Sequence, residues 1–511
     1  MKAPLKRGAG ILLPISSLPS PYGIGTLGKD AREFIDRLHR AGQTYWQVLP
    51  VGPTSYGDSP YQSFSAFAGN PYFIDLDTLA RDGLLTAREL AAIPAGRPDR
   101  VDYGWLFETR FPLLRRAFGR FADRNGAFAA YCDAQRDWLD DYAFYMALKE
   151  RFGHREWLQW DEDIRLRRPD AVDAWRRELS ENIRFWQFCQ FLFDGQWAAL
   201  KAYANRAGIA IIGDIPIYAA LDSADVWAAP GQFQLDETGH PTHVAGVPPD
   251  AFSATGQRWG NPLYDWAAME RDGFAWWRRR VARCARLYDV IRIDHFIGIA
   301  RYYAIPAASE TALMGEWREG PGKRLTDAID QAAGDARILA EDLGVLHESV
   351  RRLLQATGYP GMKVLLFAFD SGAGNTHLPH WFDHNAAVYG GTHDNETIAG
   401  YCAGKTDEEL RYLMDYLQAG RREDIPRALL RAAYQSVADA AIFQMQDILE
   451  LDDTARMNTP STIGGNWLWR LSPGQFTDEL ARELRRLAEL YGRASRKSGG
   501  NGHRFLLQTI F

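Results

Sequence analysis

The sequence predicts an α/β fold: a (β/α)8 TIM barrel with large, mostly helical insertions in its βα loops. Three observations predict it. Short apolar runs recur along the chain, amphipathic helical stretches lie between them, and several of the runs end in a carboxylate. Strands covered on both faces read as continuous hydrophobic runs, and strict alternation with helices implies parallel crossovers.

The strand candidates are residues 11–15, 46–50, 209–214, 290–294, 337–341, 363–367 and 387–391, with a weaker one at 440–445. Between the first two, residues 30–40 place Phe34, Ile35 and Leu38 on one helical face. Residues 110–121 and 171–206 are helical stretches within the long second connection, and 265–287, 347–357 and 408–417 follow later. A doubly wound open sheet is the alternative. Its fingerprint occurs as Gly23-Ile24-Gly25-Thr26-Leu27-Gly28, but Pro19 and Pro21 separate it from the first strand. No acidic residue follows at the spacing of about 20 that a ribose contact needs, so the run reads as a turn before the 30–40 helix.

The whole of 1–511 reads as one catalytic barrel domain. A mostly helical insertion occupies 57–206, between the second and third strands. A second insertion occupies 218–289, with a Gly/Pro-rich loop near 246–262 expected to cover the substrate. Long ordered insertions on βα loops sit at the C-terminal face, where barrel active sites form.

Composition narrows the function. Hydrophobic residues are 46% and charged residues 24% of the chain, the balance of a soluble globular protein. Net charge is −6, from 59 basic and 65 acidic residues, which argues against a chain built to grip nucleic acid. Cys132, Cys189, Cys284 and Cys402 lie far apart, with no CxxC pair, and read as free thiols in a reducing compartment. The apolar stretch 11–15 is too short for a signal segment and contains Pro14, and no stretch reads as membrane-spanning. The expected location is the cytoplasm. No nicotinamide, phosphate or haem signature appears, and no cofactor or metal is expected.

Asp214, Asp294 and Glu341 close their runs, and Asp394 lies three residues beyond Gly391. In a barrel such ends converge on one pocket. Singly, each fits a helix cap or turn residue. Together they carry more weight, because three sit among further polar residues: Arg292-Ile293-Asp294-His295, Glu341-Asp342 and His393-Asp394-Asn395-Glu396. Arg292 and Asp294 are i and i+2 on a strand and share a face. A guanidinium there favours ionised Asp294, as a nucleophile requires, though the pair fits a buried support equally. Glu341 ends an apolar run, and partial burial would raise its pKa, which suits a general acid. Two such carboxyls about 5–5.5 Å apart are the equipment of retaining glycoside chemistry.

The segment 55–70 resembles the amylomaltase family of 4-α-glucanotransferases, the disproportionating enzymes. So do Gly213-Asp214-Ile215-Pro216-Ile217-Tyr218, Gly256-Gln257-Arg258-Trp259-Gly260-Asn261-Pro262, Arg292-Ile293-Asp294-His295-Phe296, Ala340-Glu341-Asp342-Leu343-Gly344 and Gly391-Thr392-His393-Asp394-Asn395-Glu396-Thr397. The match runs in order through nearly the whole chain. The resemblance implies transfer of α-1,4-glucan segments from donor maltooligosaccharides to acceptor glucans or glucose. It implies Asp294 as nucleophile, Glu341 as acid/base and Asp394 as a sugar-hydroxyl ligand that stabilises the transition state. It places Arg292, Asp214 and His393 in the same subsite, Tyr61 against the donor sugar, and Trp259, Asp370 and Asn466 along the chain-binding groove. From the residues alone, Tyr61 and Trp259 fit core packing as well, and His393 fits a structural histidine. One departure is visible: Ala251 stands beside Phe252 where the family often carries a second aromatic, so acceptor stacking is expected to differ. Rival readings are a glucan hydrolase with the same carboxylates, a metal-dependent barrel lyase and a non-catalytic glucan-binding protein.

Overall fold

The apolar runs form strands because each is covered on both faces, by helices outside and by the barrel interior within. The computed structural model describes residues 2–55, 57–249, 253–344 and 346–494. In chain order the strands are β1 (Gly8–Leu12), β2 (Tyr45–Gln47), β3 (Ala210–Ile215), β4 (His243–Val247), β5 (Gln257–Pro262) and β6 (Val290–Ile293). They continue as β7 (Arg301–Pro306), β8 (Glu316–Glu319), β9 (Arg337–Ala340), β10 (Gly361–Val364), β11 (Ala386–Tyr389) and β12 (Ala440–Gln444).

Eight strands form a parallel sheet in the order β10-β11-β12-β1-β2-β3-β6-β9. The sheet curls into a nearly closed barrel, and each of its strands lies at one of the eight expected runs. Among the described residues its two ends, β9 and β10, meet through a single backbone bond in which the Ala340 N–H donates to the Pro360 carbonyl at 2.9 Å. The barrel walls are fully buried along β1, β2, β6, β11 and β12. Inside, the Tyr389 hydroxyl donates to Gln47 Oε1 at 2.7 Å, so a polar pair sits in the interior with its hydrogen bond made.

The Gly23–Gly28 run is a turn and bend segment leading into the Lys29–Arg40 helix, which buries Ala31, Phe34, Ile35 and Leu38 against the barrel. The second connection contains the helices Tyr103–Arg120, Arg136–Arg151 and Ser180–Arg206. Its longest helix, Ser180–Arg206, buries Phe185, Phe188, Phe193 and Trp197. The stretch 265–287 is two helices, Trp266–Arg271 and Ala275–Leu287, rather than one. Gly273 and Phe274 adopt φ of 68° and 59° between them, a left-handed step that no α-helix can contain.

The region after β3 departs from the mostly helical expectation. β5, β4, β7 and β8 form an antiparallel sheet of four strands in that order. It draws two strands from the 218–289 insertion and two from the connection between β6 and β9. The expected consequence of Ala251 lies outside the described residues.

Candidate active site

Parallel register sets the floor of the pocket. Asp214 on β3 lies level with Arg292 on β6, and Ile293 lies level with Ala340 on β9. Level residues on neighbouring parallel strands point the same way, about 4.8 Å apart. Asp214 and Arg292 therefore share the interior face, and Asp294 and Glu341 emerge side by side at the strand ends.

Arg292 is the hub. Its Nη1 donates to both oxygens of Asp214, at 2.7 and 2.6 Å, and to Asp294 Oδ1 at 2.9 Å. The Asp214 side chain is 0% exposed and the Asp294 side chain 27%, so one carboxylate anchors the arginine and the other faces the pocket. Burial works against the charge on Arg292, but Asp214 and Asp294 outweigh it and its pKa is raised. Burial pushes the Asp294 carboxyl well above the usual carboxylate range. Asp214, Glu341 and Asp394 add to that shift, and Arg292 opposes it. A buried acid of this kind retains its proton more readily than an isolated one would.

Glu341 is held from below by the backbone. The His295 N–H donates to Oε2 at 2.6 Å and the Leu343 N–H to Oε1 at 3.0 Å. The first donor belongs to the residue directly after Asp294, which fixes the acid beside that carboxylate. Burial raises the pKa of Glu341, and Arg292 with the two backbone donors works the other way. His295 takes φ of 48°, a left-handed turn for a residue with a Cβ. Strain of this kind persists where the surroundings over-determine it, here at the junction of both carboxylates.

A second wall comes from loops. The Tyr61 hydroxyl donates to Asp214 Oδ2 at 2.8 Å, and its ring stacks on His393 with centroids 5.2 Å apart and 12° between planes. One face of Tyr61 is thus taken by the histidine. Burial, then Asp214, raises the tyrosine pKa, and burial lowers that of His393, which stays neutral at neutral pH. His393 Nε2 lies 3.5 Å from Asp394 Oδ1, which also accepts from Asn458 Nδ2 at 2.6 Å. The Asp394 side chain is 45% exposed and open to a ligand.

Seven of the ten expected site residues thus converge: Tyr61, Asp214, Arg292, Asp294, Glu341, His393 and Asp394. Trp259 stands at the rim, edge-on to His295 with centroids 4.9 Å apart. Asp370 and Asn466 do not join the cluster through any described contact. Asp370 accepts from Ser371 Oγ and Asn375 Nδ2 within its own exposed loop. Asn466 accepts from the Thr459 N–H and donates to Thr462, which ties off the 459–466 turn. Its neighbour Trp467 reaches the cluster instead, with ring centroids 5.8 Å from Tyr61 and 5.9 Å from His393. Sequence reasoning missed Trp467, Asn458 and His295. Trp467 directly follows the expected Asn466 in Gly465-Asn466-Trp467, and His295 directly follows Asp294, so adjacency holds a signal for both, whereas nothing in sequence marks Asn458. Among the described residues, no three His, Cys, Asp or Glu side chains converge as a metal site.

A barrel whose strand ends gather an arginine and several carboxylates beside aromatic rings has the equipment of a carbohydrate-active enzyme. The family model described as 4-alpha-glucanotransferase, glycoside hydrolase family 77, matches residues 13–477. A 4-alpha-glucanotransferase from Thermus thermophilus is 48% identical over 497 residues, covering 95% of this chain and 99% of its own. One from Streptococcus pneumoniae is 46% identical over 493 residues, covering 96% and 98%. The structure of amylomaltase from Streptococcus agalactiae in complex with acarbose superposes with a TM-score of 0.93 at 41% identity, covering 96% of this chain and all of that one. Amylomaltase from Corynebacterium glutamicum, at 19% identity and a TM-score of 0.78, shares the fold.

The chain belongs to the 4-alpha-glucanotransferase family, glycoside hydrolase family 77. Its activity is that of a 4-alpha-glucanotransferase on α-1,4-glucans, EC 2.4.1.25.

Proposed function

We propose that transfer proceeds by two displacements at one anomeric carbon. The Asp294 carboxylate attacks C1 of the donor maltooligosaccharide while Glu341 gives its proton to the departing O4, so the C1–O4 bond breaks and a C1–Asp294 ester forms. Glu341, now ionised, takes the proton from the 4-hydroxyl of an acceptor glucan or glucose. That oxygen attacks C1, the ester breaks, and the configuration is retained.

The observation that carries this reading is the unlike setting of two neighbouring carboxyls. Asp294 accepts from Arg292 Nη1, which favours its ionised form against burial, and the His295 N–H holds Glu341 beside it, so Asp294 supplies the attacking carboxylate and Glu341 the proton. Asp394, held by Asn458, takes hydroxyls of the bound sugar, and Asp214, Tyr61 and His393 fix the wall behind it. Trp259 offers a ring at the rim, and Asp370 and Asn466 shape the outer groove through the loops they tie. Neutral glucans, including analogues such as acarbose, are the partners. A net charge of −6 supplies no basic excess for nucleic acid, and no described helix is long and apolar enough to cross a membrane. Four free cysteines fit a reducing cytoplasm.

Incubation with maltotriose followed by product sizing tests the reading. A ladder of longer maltooligosaccharides plus glucose, at constant total reducing ends, is expected. A rise in reducing ends matching substrate loss would make water the acceptor and the enzyme a hydrolase.

A further inference from the structure

The one barrel seam without a strand ladder, among the described residues, runs beside Glu341. β9 and β10 stand at the two ends of the strand order, and beyond the Ala340–Pro360 bond side chains replace the missing ladder. The Met362 N–H donates to Asp342 Oδ1 at 2.7 Å, and the Val364 N–H donates to His377 Nδ1 at 3.0 Å. Residues 362 and 364 are two apart on β10, so both N–H groups face the same edge. Without these acceptors both donors would be unpaired at the seam, a costly state for a part-buried N–H.

Two further contacts tie this patch to the chemistry. A Cβ on Gly361 would lie 2.5 Å from Asp342 Oδ2, so the carboxylate fills the space that only a glycine leaves. The side chain of Met362 reaches the other way: Arg292 Nε lies 3.4 Å from its Sδ. Asp342 is thus joined by one peptide bond to the acid and, through Met362, to the guanidinium that holds Asp214 and Asp294.

We propose that Asp342 is a positioning residue: its carboxylate closes the barrel between β9 and β10 and so sets Glu341 against the Arg292–Asp294 pair. The role needs an acceptor oxygen and no charge. Burial, which raises the Asp342 pKa, therefore does not disable it. The proposal takes from the reading above that Glu341 is the acid.

The test compares Asp342→Asn, Asp342→Ala and Gly361→Ala by kcat, KM and the pH profile of kcat/KM on maltotriose. Asp342→Asn keeps the acceptor and is expected within about threefold of wild type. Asp342→Ala is expected to lower kcat about tenfold to a hundredfold, with KM little changed, and to move the alkaline limb that reports Glu341. Gly361→Ala, which acts from the opposite strand by displacing the carboxylate, is expected to produce the same loss and the same movement. An alkaline limb unmoved in both alanine variants overturns the proposal, as does an Asp342→Asn variant about tenfold impaired or worse. Should neither alanine variant fold while Asp342→Asn folds and works, closure at this point is supported. Glu341→Gln separates the two claims: if it keeps the wild-type alkaline limb, the assignment of the acid fails and the seam is not at fault.

Discussion

The pocket has a wall and a rim, and they are built differently. The wall residues Asp214, Arg292, Asp294 and Glu341 stand on or directly after ladder-paired strands, and hydrogen bonds that cross between those strands, Arg292 to Asp214 and the His295 N–H to Glu341, hold them. The rim residues Trp259, Asp370 and Asn466 stand on a hairpin and loops, and the hydrogen bonds made by their side chains stay within their own segments. Geometry inherited from a ladder is precise and hard to relax, whereas a locally bonded loop can adapt to chains of different length. On the proposed reading, the difference assigns chemistry to the wall and chain selection to the rim.

That division can be broken from the wall side first. Asp294→Asn is expected to lower transfer on the order of 10³-fold or more while glucan binding persists, which initial rates and calorimetric titration check together. An Asn variant with near-normal turnover would move the nucleophile elsewhere. Next is Arg292→Leu. It leaves Asp214 buried without its partner, so a loss of about 3–5 kcal/mol in unfolding free energy is expected beside the loss of activity. Tyr61→Phe removes one hydroxyl from Asp214 but keeps the ring on His393, so a smaller cost of about 1 kcal/mol is expected. The rim should respond more gently. Trp259→Ala is expected to raise KM for long glucans several-fold with kcat little changed. A fall in kcat with constant KM would put Trp259 in the wall and erase the distinction.

The seam adds a pH signature. Burial pushes the His377 pKa down to about 4 from 6.5, which keeps Nδ1 free to accept from Val364. The unfolded chain takes up a proton as pH falls through 6.5, and the folded chain does not until about 4. Stability from this group is therefore whole above 6.5 and lost progressively toward pH 4, by up to about 3 kcal/mol. Urea unfolding of wild type and His377→Asn should diverge over that window. Parallel curves would show that the imidazole titrates normally.

The same contrast explains what sequence could reveal. All eight barrel strands were legible, because burial on both faces leaves a continuous apolar run such as Ile338 to Ala340. The carboxylates at their ends were legible for the same reason. The antiparallel sheet was not. β5 carries Gln257, Arg258 and Asn261, β8 reads Glu-Trp-Arg-Glu with little burial, and among the described residues the buried cluster beneath is Val244, Tyr303, Ile305 and Ala312. Its pairing also spans β6, so no local pattern announces it. Asn466 was expected in the groove, and its neighbour Trp467, at a φ of 65°, has its ring at the cluster. Asp342 looked like a polar neighbour of the acid, since a seam exists only after the barrel has curled.

The central claim is that sugar becomes covalently bound to Asp294. Its most direct test uses Glu341→Gln with α-maltotriosyl fluoride, whose leaving group departs without an acid and whose adduct then lacks the base needed for release. Mass spectrometry of the digested protein is predicted to find a maltotriosyl group on the peptide carrying Asp294. Fluoride release with no adduct on that residue, or with the sugar on another side chain, would contradict the account.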